Sequence, residues 1–180
     1  MRFRKAFTII ITMIAFRGIL AFASDNAVVY FGDFKQVSSI IDDHCYGHHI
    51  TLWKHRGLPI GFFYHENGLC GDSPMGILEE TKYSSSTGAL SFRTKMSEGC
   101  TLEGGKCVPT KDIVVFQGKL KGNVLEGQLS WYREGNKTAL LTEQISLLKD
   151  TGPAHPQSFA SLKDWMNYWS PVLKFRGPKW

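Results

Sequence analysis

Five of the six histidines fall between positions 44 and 65, the densest stretch being Asp42-Asp43-His44-Cys45-Tyr46-Gly47-His48-His49. Imidazoles and carboxylates at this density are the materials of a zinc or copper site. Spacing limits what they can do together. Neighbouring strand residues point to opposite faces, so His48 and His49 cannot serve one ion without a bulge. A hairpin turning at Arg56-Gly57 sets His48 directly opposite His65, and two imidazoles across a strand pair can share a metal ion. No third ligand is evident, and the competing reading is a polar, solvent-facing strand. Glu143 is a second lead. With a three-residue loop Glu134-Gly135-Asn136 it faces inward opposite Gly127, where a carboxylate needs a partner or a ligand because an unpaired buried charge is costly. With a two-residue turn at Gly135-Asn136 the face inverts and Glu143 is solvated.

Catalytic patterns are otherwise absent. The chain has no Gly-x-Ser-x-Gly, no His-Glu-x-x-His and no dinucleotide fingerprint. Glu79 and Glu80 are strand neighbours facing opposite sides, a poor acid–base pair. The stretch 99–106 has the wrong glycine spacing for a phosphate loop and is followed by Cys107 rather than Ser or Thr. No catalytic residue and no cofactor are assigned, and a non-enzymatic protein is expected. Asn136-Lys137-Thr138 fits the glycosylation acceptor pattern, which matters only in a eukaryotic host.

The compartment follows from the start of the chain. Arg2, Arg4 and Lys5 precede an apolar run at 7–16 and the small-residue pattern Ala21-Phe22-Ala23, the order of a signal peptide cleaved before Ser24. The run is about half of what a membrane-spanning helix needs. Removing 23 of the 180 residues leaves 157, with 17 basic against 16 acidic side chains and a net charge near +1. That balance argues against nucleic acid as a partner. In a secreted or periplasmic protein, Cys45, Cys70, Cys100 and Cys107 read as two disulfides rather than thiol chemistry. Spacing alone leaves three pairings open. The hairpin register that sets Cys45 opposite Gly68 makes Cys70 its diagonal neighbour, and Cys100 and Cys107 flank a glycine-containing loop, so Cys45–Cys70 with Cys100–Cys107 is favoured.

These residues must be positioned by strands. Short alternating segments separated by Gly, Asn and Ser occupy 28–34, 46–54, 58–65, 76–83, 89–96, 112–120, 124–132 and 138–148. The stretch 35–43 suggests a short helix through Val37, Ile40 and Ile41. A two-residue turn at Gly122-Asn123 sets Leu120 opposite Leu125, Phe116 opposite Leu129 and Val114 opposite Trp131, one face wholly apolar or glycine. The Arg56-Gly57 hairpin places Trp53 opposite Ile60, Thr51 opposite Phe62 and His49 opposite Tyr64. At the end of the chain, Phe159, Leu162, Trp165, Met166 and Trp169 form one helical stripe, with Ser158 as its cap and Pro171 as its stop. Burial against the sheet is the expected fate of that stripe. Trp165, Tyr168 and Trp169 beside Lys174, Arg176 and Lys179 would also suit a membrane surface, the less expected partner.

Mainly β structure is therefore expected: an eight-stranded antiparallel up-and-down barrel over 24–157, with a C-terminal α-helix and tail at 158–180 packed on it. Eight meandering segments followed by one helix resemble the lipocalin-like (calycin) barrels, although the first segment has Gly32-Asp33-Phe34 where lipocalins carry Gly-x-Trp. The resemblance implies inner strand faces that line a cup for a small apolar ligand. The expected inner face comprises Trp53, Phe62, Tyr64, Phe92, Phe116, Leu129 and Trp131, with Glu143, and side chains this large favour a filled interior over a hollow one. The expected function is an exported binding protein for a small apolar molecule or for an extracellular or periplasmic protein. Alternatives are a secreted inhibitor acting through the loop 98–110, stiffened by a disulfide, and a metal-binding protein using His48 and His65.

Overall fold

The computed structural model describes residues 26–36, 44–69, 73–152 and 158–180. The signal-peptide segment, Cys70 and positions 37–43 of the expected short helix lie outside them. Among the described residues, eleven strands and one helix follow in order: β1 (Val28–Lys35), β2 (His44–His55), β3 (Leu58–Leu69), β4 (Met75–Tyr83), β5 (Ala89–Met96), β6 (Cys100–Glu103), β7 (Lys106–Pro109), β8 (Asp112–Lys121), β9 (Val124–Arg133), β10 (Leu141–Lys149), β11 (Ser158–Phe159) and α1 (Leu162–Arg176). Eight of the strands form a closed antiparallel barrel in the order β10-β9-β8-β5-β4-β3-β2-β1. Closure is made by Phe34 opposite Lys149 and Lys35 opposite Leu148. Strands β6 and β7 pair with each other as a separate two-stranded sheet, and β11 pairs with the start of β1.

Turn chemistry sets the register. Both the Arg56-Gly57 and the Gly122-Asn123 hairpins pair as their sequences dictate, with His48 opposite His65 and Phe116 opposite Leu129. Arg56 at φ 51° and Gly57 at φ 78° both occupy the left-handed region that such a two-residue turn requires. The β8–β9 pair carries a notch: a Cβ on Gly118 or Gly127 would lie 2.5 and 2.8 Å from the Phe116 ring. Two facing glycines thereby make room for one aromatic ring that fills the barrel. The β9–β10 connection is longer than expected, running over 134–140. Glu143 consequently pairs with Leu129 rather than Gly127. The slip is two residues, so the alternation is preserved and Glu143 stays on the inward face.

Two cores lie on either side of the wall. The inner one joins Phe34, Ile50, Leu52, Phe63, Phe92, Phe116, Leu125, Leu129, Trp131 and Leu147, with Phe31, Tyr83 and Leu120 packed against it. The outer one joins Val28, Trp53, Phe62, Tyr64, Met75, Trp165 and Trp169. Three expected interior residues, Trp53, Phe62 and Tyr64, therefore sit outside the barrel. The reason is that β2 and β3 are apolar on both faces, so alternation alone cannot say which face is inner. Phe62 stacks on Trp165 at 4.9 Å, and Trp53 meets Trp165 and Trp169 at 5.7 and 5.6 Å.

The helix differs from its expected bounds. Ser158 and Phe159 are drawn into pairing with β1, and the cap falls on Ser161, whose side chain accepts the Asp164 N–H. Pro171 does not stop the helix, which continues to Arg176. The backbone hydrogen bond that proline forfeits is offset by packing of Val172 and Leu173 on the outer core. Among the described residues, no helix is long and apolar enough to cross a membrane.

Candidate functional site

Antiparallel order brings the start of β2, the end of β3, the end of β5, the start of β8, the end of β9 and the start of β10 to one end of the barrel. That end carries the chain's polar interior. His48 and His65, cross-strand partners, stack with ring centroids 5.1 Å apart. His48 Nε2 lies 3.1 Å from Glu143 Oε1, and the Trp131 indole N–H donates to the same oxygen at 3.3 Å. His65 Nδ1 lies 2.7 Å from Glu98 Oε2, and its ring is 4.9 Å from that of Trp131. Each imidazole thus has its own carboxylate.

Burial decides the charge of His48. Only 5% of the residue is exposed. Desolvation pushes its pKa below the usual imidazole value and the cation of a protonated His65 would do the same, while Glu143 opposes them. A neutral ring that contacts a carboxylate through Nε2 carries its proton there. The expected inward carboxylate is therefore paired with a buried histidine. Among the described residues, no group of three His, Cys, Asp or Glu side chains is arranged to hold a metal ion. The pairing of His48 and His65 is as the sequence indicated, but both ring nitrogens facing carboxylates are taken up by those carboxylates.

Beneath this polar layer the barrel is filled. Ile50, Leu52, Phe63, Val114, Phe116, Leu125 and Leu129 have no surface accessible to a water-sized sphere, so no void of that size adjoins them. Of the side chains expected to line a cup, Phe92, Phe116, Leu129, Trp131 and Glu143 do face inward. Phe92 and Phe116 stack on each other at 5.2 Å, and Trp131 meets Phe63 at 6.0 Å.

A second polar group, which the sequence reading missed, lies on the outer wall under the end of α1. His49 Nε2 is 3.6 Å from Asp33 Oδ1 and 3.3 Å from Thr51 Oγ1, and its ring stacks on Tyr64 at 4.9 Å. The Arg176 guanidinium lies 5.5 Å from the Tyr64 ring centre, and Arg176 Nε donates to the Ser73 carbonyl at 2.7 Å. Burial pushes the Tyr64 hydroxyl up to about 12, so it remains a neutral donor. The Arg176 contacts clamp the end of the helix to β3 and to the segment before β4; the His49–Tyr64 register was legible, but nothing in the sequence placed Arg176 beside them.

The third feature is the hairpin β6–β7, which joins β5 to β8 at the polar end. Cys100 and Cys107 are disulfide-bonded with Cα atoms 5.3 Å apart, and Cys45 is also in a disulfide. Every residue of β6 and β7 is exposed except half-buried Val108, and Leu102 is 79% exposed. The stem is rigidly held. Thr110 N–H donates to the Gly99 carbonyl, Gly99 N–H to Thr110 Oγ1, and Glu98 N–H to Asp112 Oδ2. The Thr110 hydroxyl also donates to Asp112, whose other oxygen faces Arg133 at 3.3 Å. Glu98 itself is the carboxylate on His65, so the polar layer inside the barrel and the base of the hairpin share a residue. No family model, curated protein or solved structure matches the chain.

Proposed function

We propose that this chain is an exported, non-enzymatic interaction protein whose lipocalin-like barrel is a rigid scaffold and whose disulfide-bonded hairpin meets a protein partner. The observation that carries the reading is the hairpin: ten residues standing off the barrel, stiffened by a disulfide, with Leu102 at 79% exposure. Burying a leucine is worth roughly 1.5–3 kcal/mol. A partner that covers Leu102 gains that energy without the ordering cost of a flexible loop, because the disulfide and the stem hydrogen bonds have already fixed the chain. The filled interior weighs against the cup for a small apolar ligand, and the two imidazole–carboxylate pairs read as the polar seal of that interior. Export is supported by the basic, apolar and small-residue order of positions 1–23 together with the disulfide.

A photo-crosslinking side chain at Leu102, compared with one at Leu58 in the β2–β3 turn region at the other end of the barrel, tests this in the exported fraction of the native host. The expected result is a discrete protein adduct from position 102 and none from 58. Replacing 100–109 by a short turn is expected to abolish partner binding while the circular dichroism of the barrel is unchanged. Retained binding after that replacement rejects the hairpin as the contact.

A further inference from the structure

The hairpin's two edges are not equivalent, and their difference indicates how a partner would bind. Gly104 at φ 58° and Gly105 at φ 79° form a two-residue turn with both central residues left-handed. Glu103 and Lys106 therefore exchange hydrogen bonds across the turn, and by alternation so do Thr101 with Val108. The next pair in this series is Gly99 with Thr110, and the 2.8 Å bond from Thr110 N–H to the Gly99 carbonyl has the parity required. It follows that Cys100 and Leu102 on β6, and Cys107 and Pro109 on β7, turn their backbone groups away from the hairpin.

On the β7 side that edge is blunted. Pro109 has no N–H to offer and Lys106 stands at the strand's start, two of the devices by which proteins keep free edges from pairing. The β6 side has neither. Cys100-Thr101-Leu102-Glu103 contains no proline, no lysine and no bulge, and among the described residues β6 pairs with β7 alone. The outward N–H and C=O of Cys100 and Leu102 stand beside the largely exposed Leu102 side chain. The charges nearby on the rim are balanced: Lys111 faces Glu134 at 3.5 Å and Arg133 faces Asp112 at 3.3 Å. On the Leu102 side of β6 recognition is left to backbone hydrogen bonds and apolar contact, while Glu103 stands exposed at the turn end of the same strand.

We propose that the partner contributes an extended polypeptide segment that adds to the free edge of β6 as a third strand, bonding the backbone of Cys100 and Leu102 and laying an apolar side chain against Leu102. The inference rests on the hairpin reading above and specifies its chemistry: main-chain bonds supply affinity and alternate side chains supply selectivity. The segment it fits has no proline at the positions facing Cys100 and Leu102.

A phage-displayed random decapeptide library, panned on the oxidised full chain, supplies the probe. Selected peptides are expected to slow amide exchange at Cys100 and Leu102. Both Leu102→Pro and Leu102→Thr lose the leucine contact, and affinity should fall about tenfold further for Leu102→Pro, which also removes one outward N–H, than for Leu102→Thr, which keeps it. Equal losses in the two variants would mean a side-chain contact, overturning strand addition while leaving the hairpin reading intact. Undiminished binding to the chain whose residues 100–109 are replaced by a short turn would overturn both. Failure to enrich any peptide, or protection of amides elsewhere, overturns strand addition. The exchange measurement is made on the unsubstituted protein, so the test survives any misfolding of Leu102→Pro.

Discussion

His48 is a buried base whose contribution to stability depends on pH in a definable window. In the unfolded chain its imidazole takes up a proton at the ordinary value of 6.5, whereas in the fold desolvation holds it lower. Between the two values the unfolded state binds more protons, so stability rises with pH there and is lost as pH falls below about 6.5, by at most ~1.4 kcal/mol per pH unit. Denaturant unfolding at pH 7.5 and 5.5 is expected to show a larger loss for the native sequence than for His48→Gln, which retains a donor for Glu143 without titrating. Equal losses in both proteins would place the acid sensitivity elsewhere. Asp150, held below the usual carboxylate range chiefly by its bond to Lys35, contributes stability above that range which is lost only as pH falls through its depressed value. Its window is separate from that of His48. The His48–His65 pairing was legible because one turn fixes it. The Glu143 partner was legible only as a need, since which histidine answers it depends on barrel closure between strands 95 residues apart in sequence.

The elements differ in how much of their stability is their own. The hairpin β6–β7 contacts the barrel mainly through its stem, so Cys100→Ser with Cys107→Ser is expected to speed amide exchange in 100–109 by an order of magnitude or more while moving the barrel's Tm little. A disulfide closing so short a loop restrains the unfolded hairpin by roughly 2–3 kcal/mol, and most of that acts locally because, among the described residues, the two strands pair with each other alone. A large fall in Tm would show that the hairpin is part of the barrel's cooperative unit. The helix offers the opposite case. Ser161 both accepts the Asp164 N–H at 3.2 Å and donates to its carboxylate at 2.7 Å, and Ser161→Ala is expected to cost about 1 kcal/mol in global unfolding, since α1 covers the outer core. No measurable change would mean that the first turn is frayed. Strand positions were readable from alternation and turn residues, as the matching registers of the β2–β3 and β8–β9 hairpins demonstrate. The helix start was misplaced because Ser158 and Ser161 are equally good caps, and only the pairing of Val28 with Phe159 decides between them. The strands β6 and β7 lay inside what read as a loop, although Gly104-Gly105 between short β-compatible runs is the hairpin signal that identifies them.

At the scale of the whole molecule, β2 and β3 tie two cores into one. Ile50, Leu52 and Phe63 point into the barrel, while Trp53, Phe62 and Tyr64, their neighbours in the chain, point out to the helix. A strand cannot keep one face packed while the other dissolves without shifting its backbone, so inner and outer cores should unfold together. Trp165, 1% exposed and stacked on Phe62, tests the coupling from the outside. Trp165→Ala is expected to cost roughly 3–5 kcal/mol, a large share of the 5–15 kcal/mol that a domain of this kind possesses, and to lower a single transition seen alike in far-ultraviolet and near-ultraviolet circular dichroism. Phe116→Ala, deep in the inner core at 0% exposure, should lower the same transition, whereas Phe175→Ala, 73% exposed on the helix, should leave it within about 0.5 kcal/mol. Were Trp165→Ala instead to split the melt, with the helix leaving first and the barrel melting at its original temperature, the two cores would be independent. The doubly apolar β2–β3 hairpin would then need another explanation, the natural one being that its outer face meets a surface other than α1.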